Sequence, residues 1–89
     1  MDLFYILLNY HTFPAHQLIY AEQPWTLQSR AILVEASSSP VLHLDQIEYK
    51  FFLELSWVHR LFQLYSNQNL CLASSYQRMI EFALRQQSD

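Results

Sequence analysis

Glu48-Tyr49-Lys50-Phe51-Phe52-Leu53-Glu54-Leu55 alternates along its length. Tyr49, Phe51, Leu53 and Leu55 fall on one side of an extended chain. Lys50, Phe52 and Glu54 fall on the other, together with Glu48. A period of two, with charges of both signs on one face, predicts a half-buried strand. The first set then faces the core and the second faces outward.

The period changes immediately downstream. Ser56 is placed to cap a helix, and Val58, Leu61, Phe62 and Tyr65 keep helical spacing. Asn67 or Asn69 supplies the stop that glycine usually provides. Ser74 or Ser75 then caps a last helix. Its apolar stripe is Tyr76, Met79, Ile80, Ala83 and Leu84, with Ile80 and Leu84 at the centre and expected in the core. Arg78, Glu81 and Arg85 mostly face water, and Glu81 with Arg85 makes a favourable i, i+4 pair.

Upstream, Arg30-Ala31-Ile32-Leu33-Val34-Glu35 is a continuous aliphatic run bounded by turn residues, which predicts a buried strand. Gln17 to Ala21 is a shorter strand candidate, broken by Glu22-Gln23-Pro24. From Asp2 to about His11, Leu3, Ile6, Leu7 and Tyr10 recur at helical spacing, with Asp2 as N-cap. Phe4, Tyr5 and Ile6 also favour a strand, so that segment has two readings. Pro14 closes it. Ser37-Ser38-Ser39-Pro40 is the one low-complexity piece and is short enough for a loop. The order is helix, three strands, two helices. It predicts a single α+β domain over residues 1–89: an N-terminal helix, a small antiparallel three-stranded sheet, and two C-terminal helices packed on one face.

Composition removes much of the known enzyme repertoire. The 89 residues contain no glycine, where average usage would supply about six. Phosphate-binding loops, dinucleotide fingerprints, nucleophile elbows and EF-hands all need glycine for positive φ or close approach. Apolar residues make up 52% of the chain and aromatic ones 16%, while only 15% are charged. That is too apolar and aromatic for disorder, and it leaves large apolar groups to meet a partner. The net charge is −3 and the five basic residues are scattered, which argues against nucleic acid and suits a soluble cytoplasmic role or a basic protein partner. The apolar start lacks basic residues ahead of it and ends at Asn9-Tyr10, unlike a signal peptide. No run is long enough to span a membrane.

The chain resembles a family of small, uncharacterised bacterial α+β proteins. The resemblance rests on Leu3-Phe4-Tyr5-Ile6-Leu7, Phe13-Pro14, Ile19-Tyr20, Trp25-Thr26-Leu27 and Ile32-Leu33-Val34. It continues through Tyr49-Lys50-Phe51-Phe52-Leu53-Glu54-Leu55-Ser56 and the closing helices, covering nearly the whole chain. Trp25-Thr26-Leu27 is the most specific part. Where that family has an acidic linker after the second strand, this chain has the serine loop. The resemblance implies no catalysis; similar small proteins look like immunity proteins or other inhibitors.

Candidate chemistry is sparse. Cys71 stands alone, so it forms no internal disulfide. Between Leu70 and Leu72 it reads as a small buried hydrophobe rather than a nucleophile with His59. His11, His16, His43 and His59 include no i, i+4 pair, and no zinc pattern is formed. Glu48 and Glu54 lie roughly 20 Å apart along their strand, too far to share a proton. The expectation is therefore a protein without catalytic activity, metal or cofactor. Its partner-binding residues are expected to be Phe52, Trp57, Glu54, Glu48 and Trp25. Trp57 lies off its helix's apolar stripe, Phe52 lies between charges on an outward face and is either a partner contact or covered by the N-terminal helix, and Trp25 covers a sheet edge with an exposed tip. An inhibitor or immunity-type factor that occludes a bacterial or phage protein is the leading expectation. A structural subunit or homodimer is the alternative.

Overall fold

The structure is a computed structural model and describes residues 1–36 and 39–87. Ser37 and Ser38 of the serine loop lie outside the described residues. The N-terminal segment is helical: α1 (Leu3–Leu8) is followed by a 3-10 turn, Tyr10–Thr12. The Asp2 carboxylate caps α1 by accepting from the Tyr5 N–H at 2.8 Å. Then come β1 (Leu18–Ala21), β2 (Ala31–Val34), β3 (Val41–Leu44) and β4 (Ile47–Glu54), then α2 (Leu55–Asn67) and α3 (Leu72–Gln87).

The fold is α+β with an antiparallel sheet, but the sheet has four strands rather than three. Their order is β2-β1-β4-β3, antiparallel throughout. The additional strand, β3, is the first arm of a hairpin with β4. Its turn is Asp45-Gln46, at φ 51° and 66°. Both residues take the left-handed conformation that a two-residue hairpin turn requires, without the glycine that usually marks one.

The alternation along β4 is broken at Phe52. Ile19 pairs with Leu53, but Tyr20 pairs with Phe51, so β4 carries one residue more than β1 between these pairs. This bulge sends Phe52 and Leu53 both into the core and leaves Phe51 40% exposed. The outward placement expected for Phe52, and the inward one for Phe51, are thereby reversed.

The core lies between the sheet and the helices. It takes Leu3, Ile6 and Leu7 from α1, Ile19, Ala21 and Ala31 from the sheet, and Leu55, Val58, Leu61 and Tyr65 from α2. From α3 it takes Tyr76, Met79, Ile80 and Ala83. Each large aliphatic side chain so buried contributes about 1.5–3 kcal/mol of transfer free energy. Ile80 is core as expected; Leu84 is not, and is 44% exposed. The stripe drifts off the core by the last turn of α3.

Caps explain the helix limits. Glu54, not Ser56, is the N-cap of α2, and the Ser56 hydroxyl donates to the Glu54 carboxylate at 2.8 Å. Asn69 stops α2: at φ 58° its N–H donates to the Ser66 carbonyl, and the Leu70 N–H donates to the Tyr65 carbonyl. These are the two bonds of a Schellman ending, with asparagine in the glycine position. The last helix begins before Ser74 and Ser75. The Ser75 N–H already donates to the Cys71 carbonyl at 3.0 Å, one turn inside the helix.

Both outer strands are partly covered. Residues Met1 to Leu3 run along the start of β2, with the Ala31 N–H donating to the Met1 carbonyl and the Leu3 N–H to the Ser29 carbonyl. On β3, the Ser39 hydroxyl donates to the Val41 carbonyl at 2.6 Å and accepts from the Val41 N–H at 3.3 Å. One side chain thus satisfies both main-chain groups that Val41 turns away from β4. Such blunting restrains edge-to-edge aggregation. Among the described residues, no helix is long and apolar enough to cross a membrane.

Candidate functional site

β4 is twice as long as β3, and the difference creates a cleft. β3 pairs with Ile47 to Lys50. Beyond that point, β4 keeps β1 on one side. On the other, the Phe51 N–H donates to the Pro40 carbonyl at 2.9 Å. Proline has no N–H to return to the Phe51 carbonyl. The cleft, about 580 Å³, opens here, with Pro40 and Val41 at one end and β4 from Lys50 to Glu54 along its length. Trp57 of α2 and Phe82 and Gln86 of α3 form the facing wall.

Trp57 reaches this wall because it lies off the inward stripe of α2. Its indole is 44% exposed. It tilts against the Phe82 ring at 5.7 Å between centroids, and the Arg60 guanidinium lies 5.4 Å from its centroid. Arg60 is one turn further along the same face of α2. Its cation over the ring holds the indole in place by attraction to the π face. Lys50 and Glu54 bring opposite charges to the cleft. Neither is in an ion pair among the described residues.

Of the residues expected to bind a partner, Trp57 and Glu54 come together at this cleft. Phe52 also borders it, but its ring is 2% exposed and turned into the core. There it meets Trp25 edge to face. Trp25 is itself 6% exposed, and its indole N–H donates to the Ala21 carbonyl at 3.1 Å. Neither ring offers a surface, so the expected exposure of both is corrected. Glu48 stays at the hairpin end of β4, its carboxylate 3.6 Å from the His43 imidazole. Sequence reasoning missed Phe51, Phe82, Lys50 and Gln86. Phe82 carried a legible signal, since it departs from the α3 stripe as Trp57 departs from that of α2. Phe51 carried none, because the bulge decides its side.

The other candidate groups do not converge. Among the described residues, no three of His, Cys, Asp and Glu are grouped to hold a metal ion. His16 lies 3.3 Å from the Glu35 carboxylate, with both exposed. His59 packs edge to face on Tyr10 at 4.7 Å, and its Nε2 is buried without a hydrogen-bond partner among the described residues.

Cys71 is exposed, not buried as expected. The flanking Leu72 is exposed too, so an apolar run in sequence does not make an apolar site at the start of α3. The Ser74 side chain, 3.2 Å from the sulfur, holds the thiol below its ordinary pKa, helped by the Ser74 and Ala73 backbone N–H groups. Burial raises the Tyr65 and Tyr76 hydroxyls above theirs.

No protein-family model matches the chain, and neither a curated protein nor a solved structure matches it significantly.

Proposed function

We propose that this is a small, acidic, cytoplasmic protein-binding factor that acts by occlusion, as inhibitors and immunity-type proteins of bacteria and phages do, and that it docks through the cleft beside Trp57. The observation that carries this reading is the half-exposed Trp57 indole, held by Arg60 on the wall of an open cleft lined by aromatic rings. An anchored, partly exposed tryptophan at a concavity is the kind of residue that dominates binding energy at protein interfaces. Its ring has already lost much of its freedom, so binding it costs little further entropy. Glu54, on the same cleft, raises the rate of association with a basic partner more than the final affinity.

The test is affinity capture from the source cells with wild type, Trp57→Ala and Tyr5→Ala, with circular dichroism as folding control. A protein retained by wild type and Tyr5→Ala, and weakened at least tenfold by Trp57→Ala, supports the reading. The same protein retained equally by Trp57→Ala overturns it.

One observation favours a second reading, a structural homodimer. Phe4, Tyr5 and Leu8 are all exposed along α1, with Met1 exposed ahead of it, an apolar surface beside the capping Asp2 carboxylate. Sedimentation would then show a dimer that Tyr5→Lys dissociates and Trp57→Ala does not.

A further inference from the structure

The cleft lies over main chain as well as side chains. The Leu55 N–H donates to the Gln17 carbonyl at 3.0 Å, toward β1. Successive residues of a strand turn their main-chain groups to opposite edges, so the Glu54 N–H faces the other way. The Phe51 carbonyl faces that way too, opposite a proline that cannot donate. Pro40 and Val41 line the same cleft, which places it on the β3 side of β4. An acceptor and a donor are therefore presented three residues apart, along the cleft and in line with β3. The outer edges of β2 and β3 are each partly covered. Residues 1–3 occupy the start of β2, and Ser39 occupies Val41 on β3.

Resting on the docking reading above, we propose that the edge of β4 between the Phe51 carbonyl and the Glu54 N–H takes a short extended segment of the partner protein as an added strand. Main-chain bonds to this edge supply affinity, and alternate side chains supply specificity. One large apolar side chain of the segment enters between Trp57 and Phe82. The charges define its ends. Lys50 and Glu54 are four strand residues apart, about 13 Å, and neither has an ion-pair partner among the described residues. They complement a segment of about five residues that carries a basic group where it passes Glu54 and an acidic group where it reaches Lys50.

The experiment is selection of displayed eight-residue peptides on the full-length protein. It is repeated on the Lys50→Glu, Glu54→Lys double variant. The best peptide is then resynthesised with single N-methyl groups along its backbone and titrated by fluorescence anisotropy. N-methylation is expected to weaken binding at least tenfold at alternating positions and less than twofold between them, because only every second amide of an added strand pairs. The double variant is expected to select peptides with acid and base exchanged.

Peptides weakened tenfold by Trp57→Ala or Phe82→Ala but indifferent to N-methylation overturn strand addition and leave the docking reading standing. Identical peptides from the double variant overturn the charge assignment. Peptides indifferent to both aromatic variants overturn the docking reading itself. No enrichment, or a protein dimer that Trp57→Ala dissociates, overturns the linear segment as occupant. Both aromatic variants are checked by circular dichroism, and either alone suffices if the other fails to fold.

Discussion

The rings of Trp25 and Phe52 meet edge to face, 5.0 Å between centroids and 83° between planes. This contact joins the loop after β1 to the bulge of β4, and it exists because the bulge turns Phe52 inward. Aromatic pairs of this geometry add about 0.5–1.5 kcal/mol beyond their burial. Phe52→Ala is therefore expected to cost about 3–5 kcal/mol, a large share of a small domain's stability. Phe51→Ala, one residue away and half exposed, is expected to cost less than about 1 kcal/mol. Urea denaturation of the two variants checks the pair. Equal losses would mean that β4 lacks the bulge in solution.

The same pair marks where the sequence stops being legible. Helices were readable because a 3.6-residue stripe persists over several turns, as from Val58 to Tyr65. Asn69 was readable as a stop because few other residues tolerate the left-handed conformation. The side taken by Phe52 was not, because a one-residue slip in pairing reverses every later side chain, and the slip depends on β1. β3 was missed because four residues with a turn of Asp45 and Gln46 carry no glycine signal. At the cleft, Trp57 was legible as an outlier from its stripe. The cleft itself was not, since it arises from unequal lengths of β3 and β4.

Gln46 sits at φ 66° in the β3–β4 turn. A residue with a Cβ in this region costs roughly 1–2 kcal/mol, and glycine does not. Glycine also loses more freedom on folding, which offsets part of the gain. Gln46→Gly is expected to stabilise by about 0.5–1 kcal/mol, while Gln46→Val, β-branched, is expected to destabilise. The check is the denaturation midpoint. A loss of stability in Gln46→Gly would show that the turn does not hold this geometry.

Cys71 is expected to react as an accessible, activated thiol. Its lowered pKa comes first from the Ser74 side chain and then from backbone N–H groups at the start of α3. The thiolate is the reacting form, so the pH profile of alkylation should have its midpoint below that of free cysteine. Ser74→Ala should move the midpoint upward and slow alkylation near neutral pH. Iodoacetamide kinetics from pH 6 to 10 measure both. A midpoint unchanged by Ser74→Ala would remove the hydroxyl as the cause. Cys71→Ala should leave the fold intact, because the side chain is exposed.

Tyr76 buries its hydroxyl without a hydrogen-bond partner among the described residues, while its ring packs edge to face against Phe4 and Phe62 at 5.7 and 5.6 Å. Leaving a buried donor unsatisfied costs about 1–3 kcal/mol. Tyr76→Phe keeps the ring contacts and removes that penalty, so it is expected to stabilise by about 1 kcal/mol at neutral pH. A pH dependence follows. Burial, and secondarily Tyr10, raises the Tyr76 pKa above the ordinary 10.0. The folded form then holds its proton more tightly than the unfolded chain. Unfolding releases that proton above the ordinary value, so stability is full below pH 10 and falls as pH climbs through and beyond it. Tyr65 is raised as well, so Tyr76→Phe should reduce the alkaline loss without abolishing it. Urea unfolding at pH 8 and pH 11 measures the difference. A variant that is less stable at pH 8, with an unchanged loss at pH 11, would mean that the Tyr76 hydroxyl finds a partner in solution.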